Sequence, residues 1–459
     1  MTGSPTVLLL ATAGITLLLA PALALFFGGR PDRRRRGAIA VAIPASMLVT
    51  AIAWMLLGSD PGVAAYQGSL AAAAVAVVLA VGLRTGCIRG YAVFTALWLV
   101  LVLVPVGYSL FDLVRGPLVR ALGTLDFGGA SILALCTGTA GVALSIVSHR
   151  RGNAVGGLPQ RSVRAFVFSG LAALLGFLAV DVGAELVLDT TTLTLAANEL
   201  WAALAGLVGW TVAQLINVHR PTWAGLVAGV LAGSIVVLPA SPWLDTTSVV
   251  VLGLIAGILG QVAAVAARRS GAGAWATLVG VCLVPGAVGL IGTGIVARGL
   301  GLVFSGHIDL LAAQAGGLVI VVGYSLIVTT VIALVVDRTL GLTGTSRLVD
   351  ETIVRLYAAQ NSRDIDAVLS RLHATIRWPN GWEGTSLEGS DAVRASLTRQ
   401  WGELNPTVTP LRSHRVAGGW IEVDVHQVLR NPDGVVITDS TLVHAYRERD
   451  GLFDRMELR

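Results

Sequence analysis

Charge is scarce in this sequence. Only 13% of its 459 residues are Asp, Glu, Lys or Arg, about half the share of a soluble globular domain. A chain so poor in charge cannot present a folded surface to water along most of its length, which excludes an ordinary soluble protein. Lysine is missing altogether, so every basic side chain is an arginine; we read this as codon bias. Cysteine is nearly missing. Cys87, Cys136 and Cys282 lie in or beside apolar stretches and form neither a metal-ligand spacing nor a disulfide framework. No metal and no cofactor is expected. The first apolar run, Val7 to Phe27, lacks a basic leader and a small-residue cleavage site before its arginine cluster. It is therefore read as a retained span, not a signal peptide.

What the chain has in abundance is apolar sequence, 54% of the total. A helix needs about 20 apolar residues to cross roughly 30 Å of hydrocarbon. Runs of that kind occupy Val7–Phe27, Gly37–Leu57, Ala64–Leu83, Gly90–Phe111, Asp126–Val147, Ala165–Ala184, Leu193–Ile216, Thr222–Pro239, Val249–Ala267, Trp275–Val296 and Ala312–Val336. The expectation is eleven spans over residues 1–345, then a separate domain over 349–459. Charge divides the chain at the same place. Upstream of Arg347 there are 18 Arg against 11 acids; from Arg347 onward there are 14 Arg against 16 acids. The basic excess belongs to the membrane part, so it implies no nucleic-acid partner.

The arginines alternate between the two sides of this layout. Arg30, Arg33 to Arg36, Arg84, Arg89, Arg150, Arg151, Arg161, Arg164, Arg220, Arg268, Arg269 and Arg338 fall on one side; Arg115, Arg120 and Arg298 fall on the other. The positive-inside rule then puts the N-terminus outside and the C-terminal domain in the cytoplasm of a multi-pass protein of the plasma or inner membrane. Asp60, Asp112, Asp126, Asp181, Glu185, Asp189, Asp245 and Asp309 collect at the outer face. An acidic vestibule concentrates cations; equally, short loops need polar residues and Asp suits turns. Glycines recur at small-x-x-x-small spacing, as in Gly225, Gly229 and Gly233, which lets membrane helices approach closely.

Several stretches taken together resemble the ammonium transporter family (the Amt, Mep and Rhesus group). Span one ends Pro21-Ala-Leu-Ala-Leu-Phe-Phe-Gly28-Gly29. Span five opens Asp126-Phe-Gly-Gly129. Span eight reads Arg220-Pro-Thr222-Trp-Ala-Gly225 with Gly229 and Gly233, then Leu238-Pro-Ala240. The last span is followed by Asp337-Arg-Thr-Leu-Gly341-Leu342. The resemblance covers roughly residues 5–345. It implies an inverted repeat of spans one to five against six to ten, and a homotrimer with a narrow pore in each protomer. Its substrate would be ammonium or ammonia, and its solvent the membrane lipid.

The sequence departs from that family at the pore. The family carries one intramembrane histidine in span five and one in span ten, and an imidazole pair can relay a proton near neutrality. Matched to the family's motifs, these positions are Ala134 and Cys282, and all seven histidines lie elsewhere. The outer phenylalanine gate is matched by Leu70 and Val180, and an aspartate near the start of span ten by Ala274. Asp126 remains, and the resemblance implies a structural role for it. Asp181 and Glu185 are new acids near the end of span six. Asp181 is expected to pair with an Arg, line a vestibule or bind a cation; alternatively both acids sit solvated among the headgroups.

The C-terminal segment has a different pattern. Helical spacing covers Leu348–Ala359, Asp366–Leu372 and Asp391–Leu404, and alternation follows in Trp420–Leu429 and Val435–Tyr446. Asn431-Pro-Asp-Gly434 joins the last two as a hairpin turn. Helices followed by antiparallel strands predict an α+β domain. The strings Arg355-Leu-Tyr357-Ala-Ala-Gln-Asn361, Trp378-Pro-Asn-Gly-Trp382 and Gly389-Ser-Asp391-Ala-Val-Arg394 resemble the nuclear transport factor 2-like superfamily, in its polyketide-cyclase-like branch. That implies a cone with a central pocket, for which His373, Trp378, Trp382, His426 and His444 are the candidate lining residues. Asp424 and His426 share a strand face, as an acid–base pair or as a cross-strand polar contact.

Taken together, the expectation is an all-α polytopic membrane domain with a C-terminal α+β cone. Its function would be that of a divergent ammonium-transporter-like channel whose cytoplasmic domain binds a regulatory ligand or protein. The alternatives are a transport-inactive sensor of ammonium or a small molecule, and a membrane-anchored cyclase-like or isomerase-like enzyme.

Overall fold

The computed structural model describes residues 5–28, 33–84, 86–111, 116–149, 162–218, 220–342, 351–380, 385–416, 420–449 and 451–458. The chain forms two compact units, Met1–Gly344 and Thr345–Arg459. Arg30, Arg115, Arg150, Arg151, Arg161, Asp32 and Asp112 lie outside the described residues, as does Trp382.

In the first unit, ten described helices are long and apolar enough to cross a membrane: α1 Thr6–Gly28, α2 Arg34–Leu56, α3 Pro61–Gly82, α4 Ile88–Phe111, α5 Ser131–Ser148, α6 Val163–Glu185, α7 Thr190–Asn217, α9 Thr246–Arg269, α10 Gly273–Val296 and α11 Asp309–Thr339. The run expected as span eight is the shorter helix α8, Trp223–Val237. Its 15 residues span only about 22 Å at 1.5 Å per residue, and the chain continues through a 3₁₀ turn at Ser241–Trp243. Span five also begins later than its apolar run suggests. Asp126 stands in a loop ahead of α5, not inside the helix.

Polar residues at the helix starts explain much of the sequence pattern. Asp60 caps α3, accepting the Gly62 N–H at 2.7 Å, with Pro61 in the first turn. Asp245 caps α9 through the Ser248 N–H at 2.7 Å. Thr222 caps α8 through Gly225. Asp337 accepts the Leu342 N–H where the chain leaves α11. For Asp60 and Asp245 the local structural role is therefore the one observed.

Helix α3 is buried on nearly every side, as a helix that is apolar all round must be. The glycine stripe of α8 packs on α7: a Cβ on Gly233 would collide with Ala202 O, and one on Gly229 would come within 2.7 Å of Leu207 Cα. Among the described residues three spans contain a π-helical turn: α4 at Leu99–Leu103, α5 at Ser131–Cys136 and α10 at Val279–Leu283.

The second unit is α+β. Helices α12 Glu351–Asn361, α13 Ile365–Leu369 and α14 Ser390–Glu403 accompany strands β1 Leu372–Asn380, β2 Thr385–Glu388, β3 Asn405–Val416, β4 Trp420–Arg430, β5 Val436–Arg449 and β6 Leu452–Leu458. The sheet order is β2-β1-β6-β5-β4-β3, antiparallel except for β1 beside β6. The predicted hairpin is present. Gly434 has φ +85°, and Asn431 Oδ1 accepts the Val435 N–H. Ile421, Val423 and Val425 point inward in alternation along β4 and pack with Ile353, Leu356 and Tyr446. Asn361 pins the end of α12 to β3 by exchanging two hydrogen bonds with Val408, each 2.8 Å.

Candidate functional site

The D-F-G-G stretch before α5 and the L-P-A stretch after α8 form one joint. Gly128 N–H donates to Leu238 O at 2.8 Å, and Phe127 N–H to Pro239 O at 3.1 Å. The Phe127 ring meets Trp243 edge-on. Asp126 is buried and accepts the N–H groups of Ala130 and Ser131 at 2.8 and 2.9 Å, satisfying donors at the start of α5. Gly129, at φ +77°, faces Leu70 so closely that a Cβ would lie 2.8 Å from Leu70 Cδ1. Two motifs noted separately in the sequence thus meet in one joint, and Gly129 of that joint packs on Leu70.

Ala134 and Cys282 each lie in a π-helical turn, and both are buried. Turns of this kind often mark functional places in a helix. The two helices touch there. A Cβ on Gly286, four residues beyond Cys282, would lie 3.0 Å from Ala134 Cβ, and one on Gly138 would collide with the backbone of Leu283. Small side chains let α5 and α10 close against each other where larger ones would hold them apart. Val180 is also buried, and its carbonyl accepts the Tyr66 hydroxyl at 3.0 Å. Ala274 is buried at the start of α10.

The two acids of α6 differ. Glu185 is partly exposed, with Oε2 accepting the Thr192 hydroxyl at 2.7 Å, which fits a residue at the water-facing end of a helix. Asp181 is fully buried. Its Oδ2 accepts the Ser241 hydroxyl at 3.0 Å, and its Oδ1 has no partner. Headgroup solvation therefore does not describe Asp181. Sequence reasoning also passed over Glu199, which is fully buried in α7 with neither carboxylate oxygen hydrogen-bonded. The available signal was an Asn-Glu pair inside an otherwise apolar span, which is costly enough to be a functional indicator.

In the second unit a cavity of about 500 Å³ is lined by Asn361, Trp378, Asn380, Trp401, His444 and Met456, among others. Of the five candidates, Trp378 and His444 line it. His373 instead bonds Thr375 at 2.9 Å on the same strand. His426 Nε2 lies 2.6 Å from Asp439 Oδ1 across to β5, so its acid partner is Asp439 and not Asp424. Tyr446 donates to the Tyr357 hydroxyl at 3.0 Å, which leaves the Tyr357 O–H to donate to His444 Nδ1 at 2.8 Å. Burial lowers the His444 imidazole from 6.5 to about 4, so it is neutral at pH 7, with Nε2 carrying the proton. Burial raises the Tyr446 phenol above its ordinary range.

Residues 59–348 match the family model described as "Ammonium Transporter Family". The chain is 26% identical over 286 residues to an ammonium transporter of Bacillus subtilis, covering 55% of this chain and 70% of that one. It is 24% identical over 367 residues to ammonium transporter Amt1 of Archaeoglobus fulgidus, covering 73% and 92%. Among solved structures, Mep2 of Candida albicans superposes with a TM-score of 0.66 at 20% identity, covering 74% of this chain and 85% of that one. A structure described as a sensor Amt protein gives 0.64 at 17% identity, covering 74% and 95%. The membrane fold, its entry and exit joints and these likenesses agree: this multi-pass membrane chain belongs to the ammonium transporter family.

Proposed function

We propose that this protein carries ammonium, ammonia or another small solute across a cell membrane by a route that uses no histidine relay. The carrying observation is the contact of α5 with α10, where Ala134 and Cys282 occupy paired π-helical turns. A methyl group has no proton to pass on and a thiol only a weak donor. Matching irregularities in α5 and α10 support an inverted repeat, with eleven spans if α8 and its 3₁₀ extension complete the eighth. The arginine bias supports an external N-terminus and a cytoplasmic C-terminal unit. Family kinship supports a homotrimer.

The C-terminal unit, on this reading, is nuclear transport factor 2-like and regulates the membrane part by binding a ligand or partner in the cavity beside Trp378 and His444. The partner of His444 in that cavity is a phenol and not a carboxylate, which favours binding over acid–base catalysis.

Uptake of methylammonium into vesicles containing the full chain tests the reading. Flux above empty vesicles, inhibited by ammonium, is expected. Absence of flux from folded, correctly inserted protein overturns it. The close fit of Gly138 on Leu283 and of Gly286 on Ala134 gives the second reading, a sensor whose central crossing is filled, and that reading predicts ammonium binding without flux.

A further inference from the structure

Away from the α5–α10 crossing, the protein buries two carboxyl groups with little to hold them. Asp181 comes from α6 and Glu199 from α7, and both are completely shielded from solvent. Glu199 is nine residues from the start of α7 at Thr190, about 14 Å along the helix axis. The two carboxyls lie within range of mutual electrostatic interaction, and the Ser234 hydroxyl of α8 faces Glu199 without closing a hydrogen bond. The group is built into the fold. Ser241 donates to Asp181 Oδ2, while Asn198, the residue before Glu199, donates to Ser241 O and Leu244 O at 3.0 and 3.1 Å. Gly233 sets α8 hard against α7 one residue before Ser234.

Four buried oxygens here have no hydrogen-bond partner: Asp181 Oδ1, Glu199 Oε1, Glu199 Oε2 and Ser234 Oγ. Leaving such atoms unmatched costs several kcal/mol for a charged group. Among the described residues no arginine pairs with either acid. Of the neighbouring titratable groups, the Tyr66 hydroxyl is engaged on Val180 O and Glu185 Oε2 accepts from Thr192, while Glu185 Oε1 is also buried without a partner.

We propose that Asp181, Glu199 and Ser234 form a binding site for one small monovalent cation, with ammonium as the best-matched occupant. Four acceptor oxygens answer the four N–H donors of ammonium, and a desolvated potassium or sodium ion would use the same oxygens. A divalent ion of the calcium class calls for six or more oxygens and is not the expected ligand. The site rests on the proposed transport function only for the choice of ammonium as first probe.

The test uses the purified full chain in detergent, with ammonium, potassium or sodium chloride exchanged for choline chloride at constant ionic strength. The unfolding midpoint of the wild type should rise saturably with at least one of the three small cations, as it must when a ligand binds only the folded state. Glu199→Gln and Asp181→Asn should each raise the half-saturating concentration about tenfold or more, and Ser234→Ala about threefold or more, in keeping with loss of a charge-assisted or a neutral contact. Ser234→Ala removes only a hydroxyl and keeps the measurement open if a carboxyl variant misfolds. A response no greater than in choline, or a wild-type half-saturation in Glu199→Gln or Ser234→Ala, overturns the site. Flux in vesicles without a cation-dependent midpoint removes this site and leaves transport standing; a midpoint shift without flux does the reverse.

Discussion

His444 should make the C-terminal unit acid-sensitive in a defined window. Its imidazole lies in the cavity wall, 5% exposed, with Nδ1 accepting from Tyr357. Burial takes it from 6.5 down to about 4. The folded unit therefore holds this proton less readily than the unfolded chain does, and stability rises with pH wherever only the unfolded form is protonated. The contribution is complete above about pH 6.5, declines as pH falls, and is fully lost below about pH 4. At about 1.36 kcal/mol per pKa unit the total is on the order of 3 kcal/mol, half of it gone near pH 5. Carboxylates such as Asp454, which Arg447 holds below the usual range, also titrate there, so a reference is needed. His444→Gln keeps an acceptor for Tyr357 and cannot titrate. Hydrogen exchange at the β5 amides of the full chain, corrected for intrinsic rates from pH 4 to 7.5, gives the opening free energy of each form. The wild-type value minus the Gln value should fall by roughly 3 kcal/mol across that window. A flat difference, or an imidazole resonance titrating above pH 6, would refute the reasoning.

Two further outcomes follow from the membrane unit. Asp126→Asn leaves one acceptor oxygen for two backbone donors, those of Ala130 and Ser131; the thermal midpoint should drop by the equivalent of about 1–3 kcal/mol, and an unchanged midpoint would remove the structural role. Gly233→Ala places a methyl against Ala202 O and should cost about 1–3 kcal/mol by overpacking, whereas Gly323→Ala, with open space around it, should be close to neutral in the same melt.

Much of this architecture was legible because lipid imposes a simple requirement, and runs such as Val7–Phe27 and Thr6–Gly28 agree to within a residue. Span eight was less legible, because Leu238 and Pro239 are apolar yet lie beyond the helix. The π-helical turns at Ala134 and Cys282 left no mark in composition; they depend on how α5 and α10 fit together. Burial of Asp181 was equally hidden, since distance along α6 suggested a residue near water, and depth is set by what α7 and the Ser241 turn place over it. In the C-terminal unit the alternation of β4 was plain. Strand β3 was obscured by Pro406 and Pro410, which the sheet accommodates because β3 is an edge. Among the pocket candidates, residue type alone could not separate His444 from His426, whose orientation follows from strand register.

The joint between the α5 entry loop and the end of α8 bears on how the protein can move. Two amide hydrogen bonds, from Phe127 and Gly128, rivet one helix's threshold to another's terminus. Sliding α5 past α8 as rigid rods would shear both bonds. Rearrangement of α5 against α8 therefore begins with the loss of these two bonds, whereas side-chain rotation around the joint leaves both intact.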